Sequence, residues 1–191
     1  MSTGKRIHDG DSYRTIMRST DGAITWTSVD HGSTVNDNAA CMAYNGSDTW
    51  AMGHIAGICY DGTDTWIAVL MSSNIYYSSD DWETNDESDL SGQGNQYGCC
   101  YMKGTVNKFI AVSSAGQINH SPDGATWTEA SSYDDTKQLF AIATDHTTAI
   151  AVGNSGIIMT STDGDTWTIR TTGTTDQLRG IACDIIGAGL R

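Results

Sequence analysis

Five polar residues stand at one register of a repeating pattern: Asn38, His54, Asn95, Gln138 and Gln177. Each lies three positions ahead of a short segment of small residues. A fold that repeats those segments around an axis places the five as a ring at one mouth. Amide and imidazole groups both donate and accept hydrogen bonds, which suits a neutral polar ligand such as a sugar. The same groups serve equally to satisfy turn amides or ordered water at a strand entrance. Both roles stay open at this level.

Catalytic and metal chemistry has weaker footing. A glycosidase needs two carboxylates about 5–10 Å apart across a cleft, and 23 acidic residues offer many pairs while marking none out. The five cysteines form no C-x-x-C pair, and the five histidines form no H-x-H or H-E-x-x-H pattern. No disulfide framework, metal or cofactor is therefore expected. Reduced, buried thiols are expected instead. No catalytic residue is assigned, and the chain is expected not to be an enzyme.

The elements that would position such a ring are repeats. Ser19-Thr20-Asp21-Gly22-Ala23-Ile24-Thr25-Trp26, Ser121-Pro122-Asp123-Gly124-Ala125-Thr126-Trp127 and Ser161-Thr162-Asp163-Gly164-Asp165-Thr166-Trp167 match closely. Ser78-Ser79-Asp80-Asp81-Trp82 is a shortened fourth copy. Each follows a β-rich run and leads into a second short strand, the signature of a hairpin. The serine hydroxyl and aspartate carboxylate can bond turn amides, and glycine accepts positive φ. Tryptophan gives each hairpin a large apolar surface to bury.

These segments resemble the Asp-box, or BNR, repeat of sialidase-type β-propellers. The S-x-D-G-x-T-W form looks most like repeats of photosystem II assembly-factor-type propellers and related phage proteins. The resemblance implies an all-β propeller in which the boxes (Ser19, Asp21, Gly22, Trp26; Ser78, Asp80, Trp82; Ser121, Asp123, Gly124, Trp127; Ser161, Asp163, Gly164, Trp167) are structural hairpins remote from any active site. Sialidase chemistry needs three arginines for the substrate carboxylate, and no arginine stands between Arg18 and Arg170. The photosystem family has more blades in a longer chain.

A second repeat counts the blades. Cys41-Met42-Ala43, Gly57-Ile58-Cys59, Gly98-Cys99-Cys100, Ala141-Ile142-Ala143 and Gly180-Ile181-Ala182 share a small-x-small pattern. Alternate positions share one strand face, and only small side chains fit where blades converge. Ala43, Cys59, Cys100, Ala143 and Ala182 are spaced by 16, 41, 43 and 39 residues, against about 40–45 for a four-stranded blade. The expectation is one propeller domain over 1–191 with five blades. Residues 40–55 form a two-stranded half blade, and outer strands within 12–29 combine with an inner strand at 179–184 to close the ring. The alternative is four blades with an inserted hairpin.

Ten basic against 23 acidic residues give −13, which argues against nucleic acid and anionic membrane as partners. The first residues lack an apolar core of the secretory kind. The expected role is a non-catalytic binding or structural module. In composition and repeat form it looks like a phage-encoded, virion- or tail-associated recognition part, monomeric in isolation, in virion or host cytoplasm. The runner-up is a lectin-like carbohydrate binder, and a glycosidase comes third.

Overall fold

The computed structural model describes residues 16–21, 23–25, 27–29, 41–44, 50–53, 55–90, 92–104, 106–131 and 136–183. Sixteen strands appear in them: β1 (Ile16–Ser19), β2 (Thr27–Val29), β3 (Cys41–Tyr44), β4 (Trp50–Gly53), β5 (Gly57–Tyr60), β6 (Trp66–Val69), β7 (Asn74–Ser78), β8 (Asp86–Asp89), β9 (Gln96–Met102), β10 (Lys108–Ser113), β11 (Ile118–Ser121), β12 (Thr128–Glu129), β13 (Leu139–Thr144), β14 (Ala149–Gly153), β15 (Ile158–Ser161) and β16 (Thr168–Arg170). They form four antiparallel sheets of four strands, and no helix beyond one 3-10 turn, Asn154–Gly156, is described.

Three sheets are plain meanders, β5 to β8, β9 to β12 and β13 to β16. The first has the order β3-β4-β1-β2, a circular permutation in which the outer hairpin precedes the inner one in the chain. This corrects two expectations. Residues 40–55 are not a half blade, because Trp50–Gly53 pairs on its outer side with Ile16–Ser19. The N-terminal hairpin does not complete a blade with 179–184, because it is already paired here. The described residues therefore hold four blades, not five. Loop closure favours this choice: β1 meets β4 across about 30 residues instead of about 160, which costs about 1.5 kcal/mol less entropy.

The innermost strands pack in series, β3 on β5, β5 on β9 and β9 on β13. Small residues allow that approach. A Cβ on Gly57 would lie 3.1 Å from the Gly98 Cα and the Cys99 N, and one on Gly98 would lie 3.4 Å from the Ala141 Cα. The fifth small-residue segment lies in the same series. Arg179 sits over Phe140, and the Cys183 Sγ reaches the Thr144 carbonyl; both steps are 39 residues, the spacing of Ala143 and Ala182. Residues 178–183 nonetheless form no strand, so the inner strand expected there is placed in register without a ladder.

Apolar clusters fill the spaces between sheets. Ile58, Ala68 and Tyr76 face the first sheet beside Trp66 and Trp82. Ile67, Val69, Phe109 and Ala111 join the second and third. Ile110, Val112, Ile142, Ala151 and Met159 join the third and fourth. Cross-strand register puts one row of each sheet toward its predecessor: Ile58–Ala68–Tyr76, then Cys99–Ala111–Asn119, then Ile142–Ala151–Met159.

Candidate binding site

The box hairpins fix the strand ends that any site must use. In all four, the serine hydroxyl donates to the aspartate two residues on, at 2.8 to 3.0 Å. Each serine oxygen accepts a turn amide, from Ala23, Trp82, Gly124 and Gly164 respectively. The aspartates collect further amides, as when Ala125 and Thr126 both donate to Asp123. The Thr25 hydroxyl and amide bonds hold the Asp21 carboxyl at about 2, and amide donation from Thr126 lowers that of Asp123. Burial opposes this at Asp80 and Asp163, where bonds from Thr84 and Thr166 still leave the carboxyls lowered. These aspartates are turn formers, each already engaged by its own hairpin.

Glycine in the box answers two demands. Gly124 has φ +80°, and a Cβ there would meet the Ile67 Cδ1 of the preceding sheet at 2.4 Å. Gly164 has φ +74° and lies against Ile110 in the same way. Each hairpin thus docks on the sheet before it. The indole nitrogens of Trp127 and Trp167 donate to the Gly124 and Gly164 carbonyls. Trp167 is buried between the third and fourth sheets, while Trp127 is half-buried between the second and third. The shortened copy lacks that glycine carbonyl: buried Trp82 leaves its Nε1 unpartnered, and Asp81 accepts from Trp66 instead. Gly22 and Trp26 lie outside the described residues.

At the end where the inner strands begin, Met71, Tyr97, Gln138, Phe140, Gln177 and Arg179 line a depression of about 300 Å³. Its centre is a stack along adjacent inner strands. The Tyr97 and Phe140 rings are 5.8 Å apart and inclined at 45°, and the Arg179 guanidinium lies 4.8 Å from the Phe140 centroid. One Arg179 nitrogen donates to the Gln177 Oε1. The segment is held by the Leu178 amide donating to the Gly153 carbonyl and the Asn154 amide to that of Gln138. Aromatic faces, amides and one guanidinium can stack on and hydrogen-bond a polar ligand.

Of the five ring residues expected, Gln138 and Gln177 come together on this depression. Asn95 is exposed but does not line it, and Asn38 and His54 lie outside the described residues. The residues missed share a register of their own: Tyr97, Phe140 and Arg179 each immediately precede a small-x-small segment. None of the six lining residues is a carboxylate. Among the described residues no group of three or more His, Cys, Asp or Glu could hold a metal ion, and no helix is long and apolar enough to cross a membrane.

No family model matches the chain, and no curated protein sequence matches it. Solved structures do. Sqt1 of Saccharomyces cerevisiae is 11% identical with a TM-score of 0.50, over 65% of this chain and 36% of that one. YCF48 bound to D1 peptide is 16% identical with a TM-score of 0.46, over 59% of this chain and 37% of that one. The GH74 enzyme of Niastella koreensis is 14% identical with a TM-score of 0.45, over 88% of this chain and 25% of that one. The chain thus spans less than two fifths of the length of each, and at these identities the likeness is one of fold alone. With four face-packed antiparallel sheets whose inner strands adjoin in series, the chain is a small β-propeller.

Proposed function

We propose that this chain is a non-catalytic binding propeller of the Asp-box type, taking a polar ligand such as a glycan in the depression around Phe140. The carrying observation is the Tyr97–Phe140–Arg179 stack with Gln138 and Gln177 beside it. It offers an apolar face and hydrogen-bonding groups together, as binding of a sugar ring requires. The four Ser–Asp hairpins support the Asp-box assignment. The likeness of the repeats to phage propellers supports a virion- or tail-associated recognition role for the same site.

A glycan array followed by calorimetry on the best ligand tests the reading. Phe140→Ala and Arg179→Gln are expected to weaken binding at least tenfold while leaving the melting temperature near that of the unaltered protein. Absence of glycan binding, or binding indifferent to both changes, overturns the assignment. Turnover of chromogenic glycosides would move the chain to the enzymes.

A further inference from the structure

Four of the five cysteines lie on inner strands, Cys41 on β3, Cys59 on β5, and Cys99 and Cys100 on β9, with Cys183 on the segment beside β13. Two of them face each other across one interface. Cys59 belongs to the face of the second sheet that meets the third, and Cys99 to the face of the third that meets the second; both pack on the same apolar cluster. The strands that carry them approach closely here, since a Cβ on Gly57 would lie 3.1 Å from the Cys99 N, and each thiol acts on the ionisation of the other. The Cys99 Sγ also lies 4.0 Å from the Ile67 carbonyl, and Ile67 is the cross-strand partner of Cys59.

The residue types single out the pair. The place of Cys99 is held by Ile58 in the second sheet and Ile142 in the fourth, both apolar and buried. The place of Cys59 is held by Ala143 in the fourth sheet. Neither position requires sulfur for packing, yet sulfur stands at both where they adjoin. Both residues are partly exposed, although burial dominates the surroundings of the thiols themselves.

We propose that Cys59 and Cys99 are a redox-modifiable pair that closes to a disulfide between the inner strands of the second and third sheets. The oxidant is a small-molecule disulfide, RSSR. One protein thiolate attacks it, forming a mixed disulfide and expelling RS⁻. The other thiolate attacks the protein-bound sulfur, forming the Sγ–Sγ bond and expelling the second RS⁻. Two protein sulfurs are oxidised, one RSSR is reduced, and the two protons leave on the released thiols. Burial pushes both thiols up, Cys99 furthest, so exchange is slow at neutral pH and faster in mild alkali.

The test treats the folded protein with oxidised glutathione at pH 8.5, quenches with acid, then alkylates after unfolding. The expected product is lighter by two hydrogens, takes up three alkyl groups instead of five, and yields a peptide linking Cys59 to Cys99. It melts several degrees higher than the reduced protein, as a cross-link of this span should. Cys59→Ala and Cys99→Ile, which copy the residues of the fourth sheet, are expected to keep the fold and abolish the link, while Cys183→Ser leaves it intact. Five alkylations, a stable glutathione adduct at either residue, or a link through Cys41, Cys100 or Cys183 overturns the proposal.

Discussion

Between the third and fourth sheets, Ile142, Ala151 and Met159 form a row of apolar side chains, none more than 8% exposed. Between the second and third, the same three places hold Cys99, Ala111 and Asn119. Asn119 is fully buried, and neither its amide oxygen nor its nitrogen has a protein partner. The next hairpin repeats the contrast, since Trp167 is buried at one interface and Trp127 half-buried at the other. At the rim, Asp165 ties the fourth sheet to the third by accepting from the Ser131 amide and hydroxyl, both at 2.8 Å, with the His120 ring 3.3 Å away. The corresponding tie between the third and second is neutral, the Ser88 hydroxyl donating to the Ala125 carbonyl. One plan is therefore filled in two ways: an apolar row with a charged rim between the third and fourth sheets, and a smaller, more polar row with a neutral rim between the second and third.

The largest difference is expected at the tryptophans. Trp167→Ala empties a buried site and should cost about 3–5 kcal/mol, a large part of a domain stability of about 5–15 kcal/mol. Trp127→Ala removes a partly buried ring and should cost less, about 1–2 kcal/mol. Urea melts of the two variants check this, and equal losses would mean the interfaces are energetically alike.

The hairpins and inner strands were legible because their residues are dictated locally. A Ser-x-Asp-Gly turn and a small-x-small strand each need particular side chains whatever lies around them. Pairing was not legible, because nothing in Trp50–Gly53 states that its outer neighbour comes from upstream. A 16-residue interval then read as lost strands when those strands had already passed. The site divided likewise. Gln138 and Gln177 show as a repeat because one residue type recurs, whereas Tyr97, Phe140 and Arg179 share a register with two chemistries and conceal it. Asn119 was invisible for a simpler reason: alternation says which face a residue takes, not what its counterparts in neighbouring sheets are.

A medium effect is expected from making the two rows alike. Asn119→Met installs the residue of the fourth sheet and removes two buried, unpartnered polar atoms, each of which costs about 1–3 kcal/mol when left unmade. The variant should gain about 1–2 kcal/mol, after allowance for repacking. A loss of stability would show that the amide is satisfied by ordered water at a polar interface.

The smallest effect separates the rims and depends on pH. The Ser131 amide, its hydroxyl and then His120 lower the Asp165 carboxyl below its ordinary value. A carboxyl lowered on folding contributes stability that is fully present above its unfolded value, near about 4, and lost as pH falls through the folded one. Acidification below about pH 4 should therefore loosen the tie between the third and fourth sheets, leaving the Ser88–Ala125 tie unchanged because neither partner titrates. Hydrogen exchange, corrected for intrinsic rates, should show the Ser131 amide losing protection between pH 5 and pH 2.5 while the Leu90 amide, bonded to the Ser73 carbonyl beside Ser88, keeps its own. Amides bonded to the box aspartates Asp123 and Asp163, Ala125 among them, respond to acid at both interfaces and stand outside the comparison. Asp165→Asn should reduce Ser131 protection at pH 5 and remove its pH dependence. If both rims respond alike, or the dependence survives in Asp165→Asn, the charged clamp is not what distinguishes the fourth sheet.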